Sequence, residues 1–368
     1  MNAKKVLKYV GRVLLVLFVT VLILAGTVYL VVYKICNGPS PAAKAEFGSS
    51  LLESGQMKFV AKLVLSKEEI EEINNRNSRE QMDTDSLDTD LIHIENNDNP
   101  DDPNATPVPA DKREVFDENG IRIIEIAGSS YVAQLMIVKD PSQVCVGTTY
   151  PWSEYGKNLN EIVANCGALG GVNGGLYESS GNKGGYPLGV VVQNGQITCN
   201  KPYSNKGLYM IAMNNDNILI IKNIEGMSES DVKKYVEEEG IRDCVCFQEE
   251  SSDANNHFVP LVINGEGREL KGQGSGANPR TAIGQRADGA ILLLTTDGRG
   301  ANGHLGATAA DLIAIMLEYG AVNAANLDGG SSSCMYYKGE YVQGSVTFYY
   351  QHSSWRLPTA FVVMPKGQ

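Results

Sequence analysis

Residues 291–333 read ILLLTTDGRGANGHLGATAADLIAIMLEYGAVNAANLDGGSSS. Two apolar runs, Ile291 to Thr295 and Ala321 to Leu327, have the residue types of buried strands. Between them Thr308 opens a helix with Asp311 three residues on, and Ala309, Leu312, Ile313, Met316 and Leu317 fall on one helical face. A strand–helix–strand unit of this length favours a right-handed crossover between parallel strands. The two strands are therefore expected to be neighbours ending on one sheet edge, with Asp297 and Asp328 side by side beyond it. Each aspartate precedes a glycine, and loops at strand ends are where rigid scaffolds display chemistry. Behind Asp328, Gly329 and Gly330 permit positive φ and close ligand approach. Ser331, Ser332 and Ser333 add three hydroxyls at once.

Working outward, Ile121–Ile126, Tyr131–Val138, Leu188–Gln193, Leu208–Met213 and Ile218–Lys222 are rich in Val, Ile and Tyr and read as strands. Asn194-Gly195 and Asn264-Gly265 are hairpin turns of the kind with two residues at positive φ. Ser228 opens a helix in a capping box with Asp231, and Gly240 follows its end. The expected class is α+β: a mixed β-sheet core with a few packed helices over residues 112–368, preceded by one transmembrane helix and an acidic linker.

Three further motifs stand upstream in order: Gly171-Val172-Asn173-Gly174-Gly175-Leu176-Tyr177, Asn278-Pro279-Arg280-Thr281-Ala282-Ile283-Gly284 and Leu294-Thr295-Thr296-Asp297-Gly298-Arg299. Together with Leu327-Asp328-Gly329-Gly330-Ser331 and Arg356-x-Pro358-Thr359, they resemble the phosphodiester glycosidase family. The resemblance spans about Tyr131 to Pro365. Two positions depart from it: Leu176-Tyr177 where two aromatics are usual, and Ser332 where a third glycine is common. It implies hydrolysis of sugar-1-phosphate diesters.

Glycosidases flank the anomeric bond with two carboxyl groups, so Asp297 and Asp328 are the expected catalytic pair; two ordinary Asp-Gly turns are the competing explanation. The leaving phosphate monoester needs little acid help, so stabilising the oxocarbenium-like centre and activating water matter more. Arg280 is the expected phosphate ligand, because its planar fork holds two oxygens. Arg299 and Arg356 are weaker candidates of the same kind. Asn173 is expected to read sugar hydroxyls, although an Asn-Gly turn explains it as well. Gly174, Thr281, Gly329, Gly330 and Ser331 complete the expected substrate-binding set. A serine nucleophile is disfavoured, since no Gly-x-Ser-x-Gly elbow surrounds the serines and neither His304 nor His352 has a recognisable triad partner.

The N-terminal third has a different texture. Val13 to Tyr33 is uncharged and apolar, and a span needs roughly 20 such residues. Lys4, Lys5, Lys8 and Arg12 precede it, which places residues 1–12 in the cytoplasm and the rest outside, on a retained single-pass anchor at the cell membrane. Residues 34–111 are expected to form a stalk. It holds an amphipathic helix from Lys58 to Asn74, with Ser66 capping its second half, and an acidic linker from Asn77 to Asp111 in which only Arg79 opposes ten acids. Asp83-Thr84-Asp85 has calcium-like spacing but lacks the glycine and terminal glutamate of an EF-hand.

The net charge of −12 argues against nucleic acid and against holding polyanions by bulk electrostatics. The expected partners are a carbohydrate or glycopolymer phosphodiester and, through the N-terminal helix, a membrane. No cofactor and no metal are expected. The seven cysteines are expected to be buried small hydrophobes, with Cys244 and Cys246 facing opposite ways on a strand. The architecture of a basic flank, span and stalk points to a bacterial envelope, with exopolysaccharide or other envelope glycopolymers as substrate. A non-catalytic carbohydrate-binding or exopolysaccharide-assembly accessory protein of the same fold is the alternative.

Overall fold

The computed structural model describes residues 3–53, 58–94, 114–249, 257–346 and 353–367. The chain divides into two compact units, Met1–Asn75 and Arg76–Gln368.

The first unit is helical: α1 (Ala3–Cys36), α2 (Pro41–Glu53), α3 (Lys58–Val64) and α4 (Lys67–Arg76). α1 is the one described helix long and apolar enough to cross a membrane. Most of its large apolar side chains are exposed, and only its last turn packs: Val32 and Cys36 join Leu51, Leu52, Ala61, Val64, Leu65 and Ile73 in a small core. The helix expected from Lys58 to Asn74 is broken in two. The Ser66 N–H donates to Glu69 Oε2 (2.8 Å) and the Glu69 N–H to Ser66 Oγ (3.2 Å), a capping box that requires non-helical backbone at Ser66.

The second unit is built from strands β1 (Ser78–Arg79), β2 (Ile121–Ala127), β3 (Val132–Val138), β4 (Val144–Thr148), β5 (Gly170–Asn173), β6 (Gly189–Gln193), β7 (Gln196–Lys201), β8 (Leu208–Asn214), β9 (Leu219–Asn223) and β10 (Ile241–Gln248). These are followed by β11 (Pro260–Ile263), β12 (Glu266–Gly267), β13 (Leu270–Lys271), β14 (Thr281–Arg286), β15 (Ile291–Thr296), β16 (Ala321–Asn326), β17 (Met335–Tyr337), β18 (Glu340–Gln343) and β19 (Thr359–Val363). Three large sheets result, in the orders β12-β11-β16-β14-β15-β3-β2, β7-β6-β10-β8-β9 and β18-β17-β5-β19-β4, with a separate two-stranded sheet β1-β13. Their inner faces meet in one core through Met136, Ile283, Leu293 and Ala325 from the first, Ile211, Val245 and Phe247 from the second, and Val146, Val172 and Phe361 from the third. Each outer face is covered by one helix: α7 (Ala309–Glu318), α6 (Glu229–Glu238) and α5 (Leu159–Cys166) respectively. The class is α+β, with antiparallel sheets.

The crossover reading needs a correction. β15 and β16 run the same way but are not neighbours, because β14 lies between them and pairs antiparallel with both. β14 and β15 form a hairpin around Gly289, whose φ is 89°, and the hairpin partner occupies the slot that the helix crossover was expected to fill. The two strand ends still share one edge.

Residues 78–94, expected as the start of a linker, lie along the second unit. β1 pairs with β13, Asp85 pairs with Lys222 (2.7 Å), and Asn264 donates to the Ser86 carbonyl (2.8 Å) while accepting from the Asp88 N–H (2.8 Å). Ile92 is buried in the core under α6, so the scattered apolar residues outweigh the acids around them. Asp83 caps a short turn by accepting from the Asp85 N–H. The remainder of the expected linker, residues 95–111, lies outside the described residues. All seven cysteines are free thiols. Cys244 and Cys246 share one face of β10 instead of opposing each other, since side chains two apart on a strand project the same way.

Candidate active site

Because β14 runs against β15 and β16, its first residue meets their last ones, bringing Arg280, Asp297 and Asp328 to one edge of the seven-stranded sheet. β5 of the neighbouring sheet delivers Asn173. The Asn173 side chain is fully buried and ties the edge together: Nδ2 donates to the Asp328 carbonyl (2.7 Å), while Oδ1 accepts from Thr281 Oγ1 (2.7 Å) and the Cys334 N–H (3.2 Å). Ser333 Oγ lies 3.1 Å from the same Thr281 hydroxyl. Gly174 packs so tightly that a Cβ there would stand 2.5 Å from Thr359 Oγ1.

Asp328 sits partly buried at the head of this network, with Oδ1 accepting from the Gly329 N–H (3.0 Å). Burial pushes its carboxyl from the ordinary 3.8 up to about 6. A hydrogen bond from Ser332, the charge of His257, the Gly329 N–H and the charge of Arg299 all pull the other way. Ser332 Oγ lies 2.8 Å from the hydroxyl of buried Tyr177, whose phenol burial pushes well above its usual range. The order Tyr177–Ser332–Asp328 is a hydrogen-bonded line into the carboxyl. Tyr177 and Ser332 were not among the expected site residues, although both stand inside the quoted motifs.

Arg299 arches over the turn after Asp328. Its own φ is 54°, and it donates from Nε to Asn278 Oδ1 (3.0 Å) and from Nη1 to Ser331 Oγ (2.7 Å). Gly330 has φ 64° and donates its N–H to the Pro279 carbonyl (2.8 Å). A Cβ at Gly330 would come within 2.5 Å of Arg299 Nη2 and displace that guanidinium, and the positive φ favours glycine there. Gly329 likewise faces the Pro279 carbonyl.

The other expected residues take different places. Asp297 is buried with both oxygens engaged, Oδ1 by the Val132 N–H (2.7 Å) and Oδ2 by His304 Nδ1 (2.7 Å). His304 therefore does have a carboxylate partner, reached across the loop 297–306; His352 lies outside the described residues. Arg280 is buried behind the edge. Its guanidinium stacks on Phe258 (5.0 Å) and donates to the Gly276 carbonyl (2.9 Å), Ser275 Oγ (3.3 Å) and the Ala307 carbonyl (3.4 Å). Arg356 is exposed and stacks on Tyr155 (5.6 Å). Among the described residues no group of three His, Cys, Asp or Glu side chains is placed to hold a metal ion. What the edge offers is a carboxyl that ionises close to neutrality, beside a guanidinium and several hydroxyl and amide donors, a set suited to positive charge on one side and phosphate on the other.

The profile of the phosphodiester glycosidase family matches residues 167–364, more than half of the chain. Over 65 residues the chain is 45% identical to the SPbeta prophage-derived uncharacterized protein YomE of Bacillus subtilis (strain 168), covering 18% of this chain and 10% of that protein. Among solved structures, the zebrafish N-acetylglucosamine-1-phosphodiester alpha-N-acetylglucosaminidase catalytic domain, auto-inhibited by its pro-peptide, is similar at 19% identity and TM-score 0.47, covering 67% of this chain and 82% of that one. A hypothetical protein from Synechocystis is similar at 17% identity and TM-score 0.42, covering 67% and 61%. On the family profile, the chain belongs to the phosphodiester glycosidases.

Proposed function

We propose that the second unit hydrolyses the glycosyl bond of sugar-1-phosphate diesters, with Asp328 at the reaction centre. The observation that carries this reading is the Asp328 carboxyl, raised to about 6 by burial and flanked by Arg299 and the Gly329–Ser331 turn. In the proposed step the C1–O bond to phosphate breaks, the phosphate monoester leaves with the bonding pair, and water supplies the new C1 hydroxyl. Ionised Asp328 stabilises the oxocarbenium-like centre and takes the proton from water; a base with a pKa just below working pH suits that role. Arg299 holds the departing phosphate through its donor fork. Asp297 acts indirectly, fixing the imidazole of His304 through Nδ1. Asn173, Thr281 and Arg280 keep the edge in register.

The span-like α1 and the basic residues in its first turns support a single-pass anchor with the second unit on the outer face of a cell membrane. Envelope glycopolymers then become the nearest substrates. The test is turnover of a panel of glycosyl phosphate diesters, including UDP-N-acetylglucosamine, across pH. Activity should fall about tenfold per pH unit below 6 as Asp328 protonates, and Asp328→Asn should abolish it. A flat profile, or an active Asn variant, would remove Asp328 from the chemistry.

A further inference from the structure

One surface beside the candidate active site is built with more care than a solvent-facing loop cluster needs. Three segments meet there backbone to backbone: residues 152–157, 180–187 and 355–357. Tyr155 bridges Gly184, Lys157 bridges Leu357, and the Gly156 N–H donates to the Lys183 carbonyl (2.7 Å). The Arg356 N–H donates to Asn182 Oδ1 (2.8 Å), and Lys183 pairs with Glu154. Glycines make the approach possible: a Cβ on Gly184, itself at φ 57°, would stand 2.0 Å from the Arg356 carbonyl, and one on Gly185 only 1.8 Å from that of Ser153.

This fixed base presents Tyr155 at 53% exposure, Tyr186 at 43%, and the exposed Arg356 stacked on Tyr155. Among the described residues no carboxylate pairs with the Arg356 guanidinium, and no protein group bonds either tyrosine hydroxyl. Large exposed aromatics held on a rigid frame beside an unneutralised cation mark a binding surface. The surface is linked to the Asp328 network through Tyr177. The Tyr186 carbonyl accepts from the Glu178 N–H (3.0 Å) and Pro187 bridges Tyr177, whose hydroxyl meets Ser332.

We infer that Tyr155, Tyr186 and Arg356 form a second subsite for the neighbouring unit of a phosphodiester-linked glycan chain. The rings take the flat C–H face of a sugar, and the guanidinium takes a backbone phosphate bidentately. The inference rests on the reading of the Asp328 edge as a glycosyl phosphodiester site, and it makes the substrate a chain of repeating units.

The test is calorimetric binding to the full chain carrying Asp328→Asn, so that its outcome does not depend on turnover. The probes are a single N-acetylglucosamine 1-phosphate methyl ester and its phosphodiester-linked trimer. The trimer should bind about tenfold tighter than the single unit or better. Tyr155→Ala with Tyr186→Ala should abolish that advantage with an unchanged melting temperature, Tyr155→Phe with Tyr186→Phe should keep most of it, and Arg356→Gln should remove its salt-dependent part. A trimer that binds no tighter than one unit would overturn the subsite, as would an advantage that survives in the alanine pair.

Discussion

Burial lifts the Asp328 carboxyl well above the range of ordinary aspartates, and that has a thermodynamic consequence. Its carboxyl ionises at about 6 when folded and at 3.8 ordinarily, so the folded chain binds more protons than the unfolded one between those values. The resulting cost is absent below pH 3.8, grows as pH rises, and is complete above pH 6. Asp328→Asn removes the charge and keeps the shape. It should therefore raise stability at pH 7.5 by on the order of 2 kcal/mol, with the gain vanishing by pH 4; thermal melts across pH check this. The place of Asp328 at the sheet edge was readable from sequence because a strand end, two glycines and three serines stand in one run. The contacts of Asp297 and Arg280 were not. The partner of Asp297 is reached across a loop in which Arg299 and Asn302 both adopt positive φ, and Phe258 beneath Arg280 comes from before β11, outside the motif that holds the arginine. Residue type announced their chemistry but not which neighbours would consume it.

At the scale of elements, the hairpin β14–β15 decides the site. It inserts β14 between the two parallel strands, and by doing so brings the Asn278–Arg280 segment to the edge where Asp297 and Asp328 emerge. Helix caps at Ser228 and Thr308 and the turns at Asn194-Gly195 and Asn264-Gly265 stand where the residues place them, because each depends on local side-chain or φ preferences. Strand adjacency is non-local, and no period in the sequence distinguishes a helix crossover from a hairpin that takes the intervening slot. Arg280 is the rivet of this arrangement, gripping the Gly276 and Ala307 carbonyls against Phe258. Arg280→Lys keeps the charge but loses the planar fork. The expected cost is about 1–3 kcal/mol of stability, read as a lower melting temperature, with substrate affinity of the remaining folded protein little changed.

For the whole molecule, the acid-rich segment is the feature that composition misjudged. Averaged over Asn77 to Asp111 it reads as solvated, yet Arg79, Thr84, Asp88 and Ile92 fasten residues 78–94 along the second unit. A fragment beginning at Lys112 therefore lacks part of the body. Compared with Arg76–Gln368 it should be less stable by at least about 2 kcal/mol, roughly the value of burying Ile92 alone, in chemical denaturation at pH 7. Equal stability of the two fragments would return the segment to the role of a linker. The central claim, that this unit cleaves a glycosyl bond to phosphate, is tested most directly by turnover of a sugar-1-phosphate diester in 18O-labelled water with mass analysis of the released phosphate monoester. Cleavage of C1–O leaves that phosphate unlabelled, and this is the expected result. Incorporation of 18O into the phosphate would mean attack at phosphorus and would contradict the account.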